Sequence, residues 1–391
     1  MSVAVGIDAI RFYSSNYFID LRTLAGVRGV DPDKYMVGIG QEKMAIPPPD
    51  EDIVTMGASA AKALIDRDGR DNIELLLFAT ESGIDQSKAG GVFVHGLLGL
   101  PARCRTVELK EACYGGTAAL QLACAAVARN PKIRALVIAT DVARYELASP
   151  GEPTQGCGAV AMLVTANPRI LAIDPEHGLY TADVMDFWRP NYRDQALVDG
   201  KYSTRVYLQA LQECWKQYRE QSGRDFADLH RFCYHLPFTR MAEKAHERLA
   251  KDSGVAMTDA LLAEQVGGSL GYNRITGNSY AASLYVGLAC LLDTDPADLA
   301  GRRIGLFSYG SGCVGEYFSG VVQPGYRDRL FTAEHRALLD NRSELTYRQY
   351  EDIYNLVFPT DGGAHTFSRY RTGPFRLAGV KEHKRLYETA S

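Results

Sequence analysis

The chain has 391 residues, of which 46% are hydrophobic and 23% are charged, a balance typical of a globular protein with a large buried core. Its 43 Lys and Arg residues are outnumbered by 47 Asp and Glu residues, so it lacks the basic excess that tracks nucleic acid or an anionic membrane. No apolar stretch is long enough to span a bilayer, and the first residues lack a signal-peptide pattern. We therefore expect a cytoplasmic protein with neither nucleic acid nor membrane as a partner.

The first half of the chain alternates helical patterns with buried strands. The stretch "DIVTMGASAAKALIDRDG" and, further on, "TAALQLACAAVAR" predict helices, whereas "IELLLFATES" from Ile73 and "IRALVIATDV" from Ile133 predict strands. The two strand segments resemble each other, and we expect Glu81 and Asp141 to end them. This alternation predicts an α/β fold with mostly parallel strands, in which the strand ends carry the chemistry.

The second half has more charged and aromatic residues. From about residue 183 to residue 259 it contains amphipathic patterns such as "VYLQALQECWKQYREQSG", which we interpret as a helical elaboration. Two further strands are predicted in "HRFCYHLPF", which ends at His235, and in "RRIGLFSYGSG", which ends in a Gly-rich turn. The end of the chain, from Tyr326, has weak periodicity and is expected to wrap the surface or cap the core.

The eight cysteines and eight histidines show no metal-ligand spacing. No Cys-x-x-Cys pair occurs, and the cysteines are spread along the chain, several of them in apolar segments. We expect reduced thiols and no zinc site.

Cys113 stands where "ELKEACYGG" gives way to the predicted small-residue helix. A thiol at a helix N-terminus is expected to have a lowered pKa and to favour the thiolate. Cysteine is also a common core residue, so position alone leaves catalysis and packing both open. Cys124, on the apolar stripe of the same helix, is expected to be core.

Four other positions could act with Cys113. Glu81 follows a buried run, which would raise its pKa and suit it to accept a proton, although a strand-end Glu is often only a cap. His235 and Asn278 could be core and N-cap residues, respectively, and the turn around Ser311 could be a simple connection or an oxyanion site. Together these positions supply a base, a nucleophile, an acid and an orienting group for carbon–carbon bond formation.

Several stretches resemble one enzyme family nearly from end to end. The segments "ATESGIDQSKAGGVFVHGLLGL", "ELKEACYGGTAALQLA", "GEPTQGCGAVAML", "VDGKYS", "YHLPFTRMAEKA", "TGNSYAASL" and "FSYGSG" resemble hydroxymethylglutaryl-CoA synthase of the bacterial type. The resemblance implies a thiolase-like α/β fold, with two related halves in a layered α/β/α arrangement and mixed sheets. It implies halves at residues 1–166 and 167–391, and a homodimer.

The resemblance also assigns roles to residues. It implies an acetylated nucleophile at Cys113, a general acid/base at Glu81 and, at His235, the group that orients and polarises the acetoacetyl thioester. The implied substrate-binding residues are Asn278, Ser311, Thr154, Ser203, Lys244 and Arg240, the last two facing the phosphates of coenzyme A. Acetyl-CoA and acetoacetyl-CoA would be substrates, and no cofactor would be needed.

Three other interpretations fit parts of the sequence. A decarboxylating ketoacyl synthase would use Cys, His and Asn but needs no carboxylate base, so Glu81 argues against it. The same aldol chemistry on an acetoacetyl group held by an acyl-carrier protein is suggested by "ELKEACY", whereas the short "ASPGEPTQGCGAV" passage favours free coenzyme A substrates and isoprenoid supply through the mevalonate pathway. A non-catalytic binding protein of this fold would be expected to have lost Glu81, Cys113 or His235.

Overall fold

The computed structural model describes residues 3–390, which form one nine-stranded sheet with helices packed on it and three small sheets of two or three strands. The strands within this range are β1 (Val5–Tyr13), β2 (Tyr17–Asp20), β3 (Lys43–Ala45), β4 (Ile73–Ala79), β5 (Arg105–Leu109), β6 (Arg134–Ala143), β7 (Gly156–Ala166), β8 (Leu171–Thr181), β9 (Phe187–Trp188), β10 (Leu197–Val198), β11 (Arg231–Tyr234), β12 (Arg303–Gly310), β13 (Val314–Val322), β14 (Ser343–Glu344), β15 (His365–Thr366), β16 (Phe375–Lys381) and β17 (Lys384–Thr389).

The α-helices of the same range fall mostly between strands. They are α1 (Leu21–Arg28), α2 (Asp33–Met36), α3 (Ile53–Asp68), α4 (Gly90–Leu97), α5 (Gly115–Arg129), α6 (Gly200–Ser222), α7 (Thr239–Asp252), α8 (Asp259–Val266), α9 (Gly271–Thr276), α10 (Ser283–Thr294), α11 (Thr332–Asp340) and α12 (Tyr347–Tyr354). The predicted strands at Ile73 and Ile133 and the helix that follows Cys113 are therefore confirmed.

The main sheet has the strand order β11-β12-β13-β8-β1-β7-β6-β4-β5. Parallel pairing joins β4 to β5, β4 to β6 and β11 to β12, whereas the other five neighbouring pairs are antiparallel. The expectation of mostly parallel strands was wrong, because β7 and β13 each turn back directly beside the strand before them. The expectation of an α/β fold with mixed sheets is confirmed.

Two halves of the chain repeat one pattern. In the first, β4 is parallel to β6, and β6, β7 and β1 follow in antiparallel order. In the second, β11 is parallel to β12, and β12, β13 and β8 follow in the same antiparallel order. By this correspondence α3 matches α6, and α5 matches α10. The two halves share one sheet, so the domain boundary at 166/167 stays a prediction.

Helices α5 and α10 pack against each other and on the main sheet. The largest core cluster combines their apolar residues with side chains from β1, β4, β6 and β12. The Oγ1 atom of Thr117 in α5 lies 2.7 Å from the hydroxyl of Tyr285 in α10, within this shared core. The N-termini of both helices are therefore held next to each other, and the candidate site is built there.

Candidate active site

Cys113 and Glu81 are in direct contact. Glu81 lies two residues after the end of β4, and Cys113 lies two residues before the start of α5. The Sγ atom of Cys113 donates a hydrogen bond to Oε1 of Glu81 across 3.1 Å. Both residues are only half-buried, so a substrate can reach them.

The chain turns sharply just before α5 and just before α10. Ala112, next to Cys113, has φ 41°, and Tyr280, three residues before α10, has φ 44°, a region that residues other than glycine rarely adopt. Gly116 lies where the two helix starts meet, and a Cβ atom there would lie 2.5 Å from the carbonyl oxygen of Ala281. Only glycine therefore permits this close approach.

Burial dominates the electrostatics of Glu81. Burial and, to a lesser extent, the nearby Asp141 carboxylate raise the pKa of this carboxyl group, whereas the Cys113 hydrogen bond and Arg189 lower it, and the net pKa is about 8. The expectation that Glu81 follows a buried strand and has a raised pKa agrees with the structure. A pKa close to neutrality suits a group that must both accept and return a proton.

Asp141 supports Glu81 from the neighbouring strand. It was expected to end its strand but lies within β6, so its carboxylate points to backbone groups of adjacent segments. Oδ1 accepts hydrogen bonds from the backbone N–H groups of Glu81 and Ser82, both at 2.9 Å, and Oδ2 accepts one from Ala281 N–H at 3.0 Å. Asp141 thereby joins the Glu81 loop of the first half to the segment that precedes α10 in the second.

The pKa of Cys113 differs from the sequence-based expectation. Burial raises it well above the ordinary thiol value, and the neighbouring Glu81 carboxylate raises it further. The predicted preference for thiolate was therefore wrong, because burial and, after it, a carboxylate 3.1 Å away outweigh the partial positive charge of a helix N-terminus. Before reaction, Cys113 is a thiol whose proton is directed at Glu81.

His235 follows β11, so it occupies the position in the second half that Glu81 occupies in the first. Burial lowers its pKa to about 3, which makes the imidazole neutral at physiological pH. Its Nδ1 atom lies 2.7 Å from Oγ of Ser283, the first residue of α10. A neutral histidine can donate a hydrogen bond to a substrate oxygen, but it carries no imidazolium proton to release.

The segment 278–283 links the predicted groups. Oδ1 of Asn278 accepts a hydrogen bond from Tyr280 N–H at 2.8 Å. Its predicted role as the N-cap of the following helix was wrong, because α10 begins at Ser283 and its N-cap residue is Ala282. Asn278 N–H donates to the carbonyl of Thr154 at 3.2 Å. Through Ala281 and Ser283 the same segment reaches Asp141 and His235. No hydrogen bond joins Cys113 to His235 in the described part of the chain.

The turn at Ser311 packs against the nucleophile loop. A Cβ atom on Gly310 would lie 2.7 Å from the backbone nitrogen of Tyr114, so turn and loop are in close contact. The backbone N–H of Gly312, however, donates to Oδ1 of Asp186 at 2.9 Å. This N–H is therefore not available as an oxyanion donor. Of the groups predicted to contact the acyl oxygen from this turn, Ser311 itself remains.

Asp186 also holds Ser203. Its Oδ2 accepts hydrogen bonds from Ser203 Oγ at 3.0 Å and from the hydroxyl of Tyr309 at 2.7 Å. The structure thus places Ser203 and the Ser311 turn around one buried carboxylate.

Lys244 and Arg240 lie one turn apart on the exposed side of α7. Arg240 forms an ion pair with Glu243, whereas the Lys244 ammonium lies 5.7 Å from the ring centroid of Phe238. A carboxylate therefore neutralises the charge of Arg240, whereas no carboxylate of the described residues pairs with Lys244.

Three residues of this region have no role that was predicted from the sequence. Asp141 could have been found, because "ATD" repeats the "ATE" of Glu81 after an equivalent strand. Asp186 and Arg189 lie in an irregular segment without periodicity, and Arg189 donates a hydrogen bond to the carbonyl of Glu81. No local pattern reveals such a contact between distant parts of the chain.

No group of three or more His, Cys, Asp or Glu residues in the described range could hold a metal ion. Within residues 3–390, no helix is both long and apolar enough to cross a membrane.

Known proteins resemble this chain over nearly its whole length. The model of the N-terminal part of hydroxymethylglutaryl-coenzyme A synthase matches residues 1–169, and the model of its C-terminal part matches residues 171–260 and 250–360. The hydroxymethylglutaryl-CoA synthase of Enterococcus faecalis is 44% identical over 359 residues, which cover 92% of this chain and 94% of that protein. The chain belongs to the hydroxymethylglutaryl-CoA synthase family.

Solved structures agree with this membership. A hydroxymethylglutaryl-CoA synthase complexed with CoA superimposes with a TM-score of 0.93 at 39% identity, covering 99% of this chain and all of the other. The synthase of the curacin biosynthetic pathway, in complex with an acetyl donor carrier protein, has a TM-score of 0.93 at 33% identity with the same coverage. The thiolase-like fold predicted for this family is confirmed.

Proposed function

We propose that this chain condenses acetyl-CoA with acetoacetyl-CoA to give 3-hydroxy-3-methylglutaryl-CoA and coenzyme A, as an acyltransferase of the mevalonate route to isoprenoids. The observation that supports it best is the 3.1 Å hydrogen bond between the Cys113 thiol and the Glu81 carboxylate. A nucleophile and a base in contact are what acetyl transfer followed by deprotonation of the acetyl group requires.

In the first step, Cys113 Sγ attacks the carbonyl carbon of acetyl-CoA. The thiol proton passes to Glu81, towards which it already points, and from there to the departing coenzyme A sulfur. A thioester to Cys113 forms as the thioester to coenzyme A breaks, so the energy of the acyl group is conserved for the next step.

In the second step, Glu81 removes a proton from the methyl group of acetyl-Cys113. The resulting enolate attacks the ketone carbon of acetoacetyl-CoA, and the neutral His235 donates a hydrogen bond to the ketone oxygen as negative charge develops there. The proton held by Glu81 is available to the new alkoxide. Water then cleaves the Cys113 thioester, which restores the thiol and releases the product as a carboxylate. These steps use no cofactor.

Substrate binding is assigned to the surrounding residues. Asn278, Thr154 and Ser203 would line the acyl pocket, Ser311 would contact the acyl oxygen, and Lys244 would meet the phosphates of coenzyme A. Arg240 is the weaker candidate for that contact because Glu243 already neutralises it.

A carrier-protein substrate is the second candidate. The polyketide 3-hydroxy-3-methylglutaryl-ACP synthase PksG of Bacillus subtilis is 36% identical over 376 residues, which cover 90% of this chain and 88% of that protein. The higher identity to the Enterococcus faecalis CoA enzyme favours free acetoacetyl-CoA as the substrate.

The decisive assay mixes the protein with acetyl-CoA and acetoacetyl-CoA, follows release of coenzyme A thiol and identifies the product by mass. Formation of 3-hydroxy-3-methylglutaryl-CoA is expected, with a kcat/KM above that for acetoacetate on an acyl-carrier protein. A higher kcat/KM with the carrier-bound substrate would instead assign the chain to polyketide chemistry. A lack of condensation with either substrate would refute the proposed function.

The assembly and the location are part of the proposal. Strand β5 is one edge of the main sheet, and its free side makes it available to pair with a second copy of the chain. We expect a homodimer by analytical ultracentrifugation and, given the resemblance to a bacterial enzyme, a cytoplasmic location on cell fractionation.

A further inference from the structure

The hydroxyl of Ser283 lies between the His235 ring and the backbone that follows it. Ser283 Oγ is 2.7 Å from His235 Nδ1 and 3.3 Å from the backbone nitrogen of Leu236. Both side chains are buried, at 0% exposure for Ser283 and 4% for His235, so water does not replace these contacts easily.

The contact with Leu236 determines the direction of the contact with His235. A backbone N–H can only donate, so Ser283 Oγ accepts from Leu236. The hydroxyl has one proton, and its only other hydrogen-bond partner within residues 3–390 is Nδ1. If Nδ1 carried the proton, Oγ would accept two hydrogen bonds and its own proton would be buried without an acceptor, which is unfavourable. The arrangement therefore favours donation from Oγ to an unprotonated Nδ1.

Both sides of this contact are fixed by further hydrogen bonds. The carbonyl of Ser283 accepts from Asn273 Nδ2 at 3.1 Å. The backbone N–H of His235 donates to the Phe307 carbonyl at 2.8 Å, and the His235 carbonyl accepts from the Tyr207 hydroxyl at 3.0 Å. These bonds hold the two backbone segments in place, so that the His235 ring and the Ser283 hydroxyl stay within hydrogen-bonding reach of each other.

We propose that Ser283 is a positioning residue that keeps His235 in the tautomer with its proton on Nε2, so that Nε2–H donates to the acetoacetyl ketone. This inference rests on the proposed function and names the side chain that prepares its hydrogen-bond donor. With the opposite tautomer, a lone pair on Nε2 would face the developing oxyanion and repel it.

The tautomer can be observed directly in the unmodified protein. With ¹⁵N-labelled histidine, two-bond ¹H–¹⁵N correlation spectra distinguish a protonated from an unprotonated ring nitrogen, and His235→Gln identifies the signals. We expect the protonated nitrogen to be Nε2 at pH 7. A proton on Nδ1 would overturn the proposal, whether or not any Ser283 variant folds.

Ser283→Ala gives the kinetic test. We expect the condensation of acetyl-enzyme with acetoacetyl-CoA to slow by about tenfold, the usual size for one lost hydrogen bond, while acetylation of Cys113 is unchanged. Ser283→Thr, which keeps the hydroxyl, should recover much of the rate. Ser269→Ala is the matched control, because Ser269 is also buried and, among the described residues, its hydroxyl bonds only the Val266 carbonyl, so the change should leave both steps unchanged.

Equal losses in both steps would indicate a purely structural role and contradict the proposal, as would an unchanged condensation rate in Ser283→Ala. If the wild-type protein makes no 3-hydroxy-3-methylglutaryl-CoA at all, the proposed function fails, whereas the spectrum still reports which nitrogen of His235 carries the proton.

Discussion

Replacement of Glu81 by glutamine should separate the two chemical steps. Glutamine keeps the size of the side chain and an oxygen that can accept the Cys113 hydrogen bond, but it cannot accept a proton. In the acetylation step the loss of this base is partly offset, because the Glu81 carboxylate is one of the groups that raise the pKa of Cys113. Its removal therefore makes the thiolate easier to form. In the condensation step nothing replaces the base that removes the methyl proton.

The magnitude follows from the role of Glu81 and its pKa. A general base contributes a factor of about 10² to 10⁴, so condensation in Glu81→Gln should fall at least about 100-fold, or about 2.7 kcal/mol in the activation free energy. With a pKa of about 8, roughly one-tenth of the wild-type carboxyl groups are ionised at pH 7 and roughly nine-tenths at pH 9. The base is the ionised form, so the wild-type condensation rate should rise about tenfold over this interval. Acetylation removes the thiol hydrogen bond that lowers this pKa, so the midpoint should not move below about 8.

The assay is a pair of single-turnover measurements. Radiolabelled acetyl-CoA reports formation of acetyl-Cys113 after acid quenching, and subsequent addition of acetoacetyl-CoA reports conversion of the label to product between pH 6.5 and 9.5. Glu74→Gln, at the other end of β4 on the protein surface beside Arg103, is the control for the same substitution on the same strand. Normal condensation by Glu81→Gln, or a variant profile that still rises with a midpoint near 8, would refute Glu81 as the base.

The other predicted effects concern the nucleophile, the histidine and the coenzyme A contact. Cys113→Ser should give no acetyl-enzyme, because a hydroxyl is far less acidic than a thiol, and label accumulation equal to wild type would contradict this. His235→Ala should retain acetylation but use acetoacetyl-CoA at least tenfold less efficiently; selective loss of acetylation would require its role to be reassigned. Lys244→Ala should raise KM for acetyl-CoA about threefold to fivefold at low salt but leave an N-acetylcysteamine thioester, which lacks the phosphates, unaffected.

The sequence was sufficient to predict the parts of the site that depend on local pattern. Buried runs with sharp ends predicted where Glu81 and His235 leave their strands, and a small-residue helix after Cys113 predicted the position of the nucleophile. The resemblance connected these positions. The contact of Glu81 with Cys113 at 3.1 Å then follows from the parallel pairing of β4 with its neighbours.

What the sequence could not provide are properties that arise between distant segments. A lowered pKa of the Cys113 thiol was predicted from the helix N-terminus alone, whereas its pKa is raised by tertiary burial and by a carboxylate that is 32 residues away along the chain. Likewise, the antiparallel position of β8 between β1 and β13 joins the two halves into one sheet, and no periodicity within β8 specifies its neighbours. Asp186 bonds Gly312 across 126 residues, and no spacing rule would predict that pair.

The geometry of the active site depends on the lack of a Cβ atom at Gly116. A single methyl group at this position would push the start of α5 away from the segment that precedes α10. Glu81 and Cys113 lie on one side of this helix contact, and His235 lies on the other. The substitution would therefore abolish catalysis by displacing the reacting groups, although each of them would be chemically unchanged.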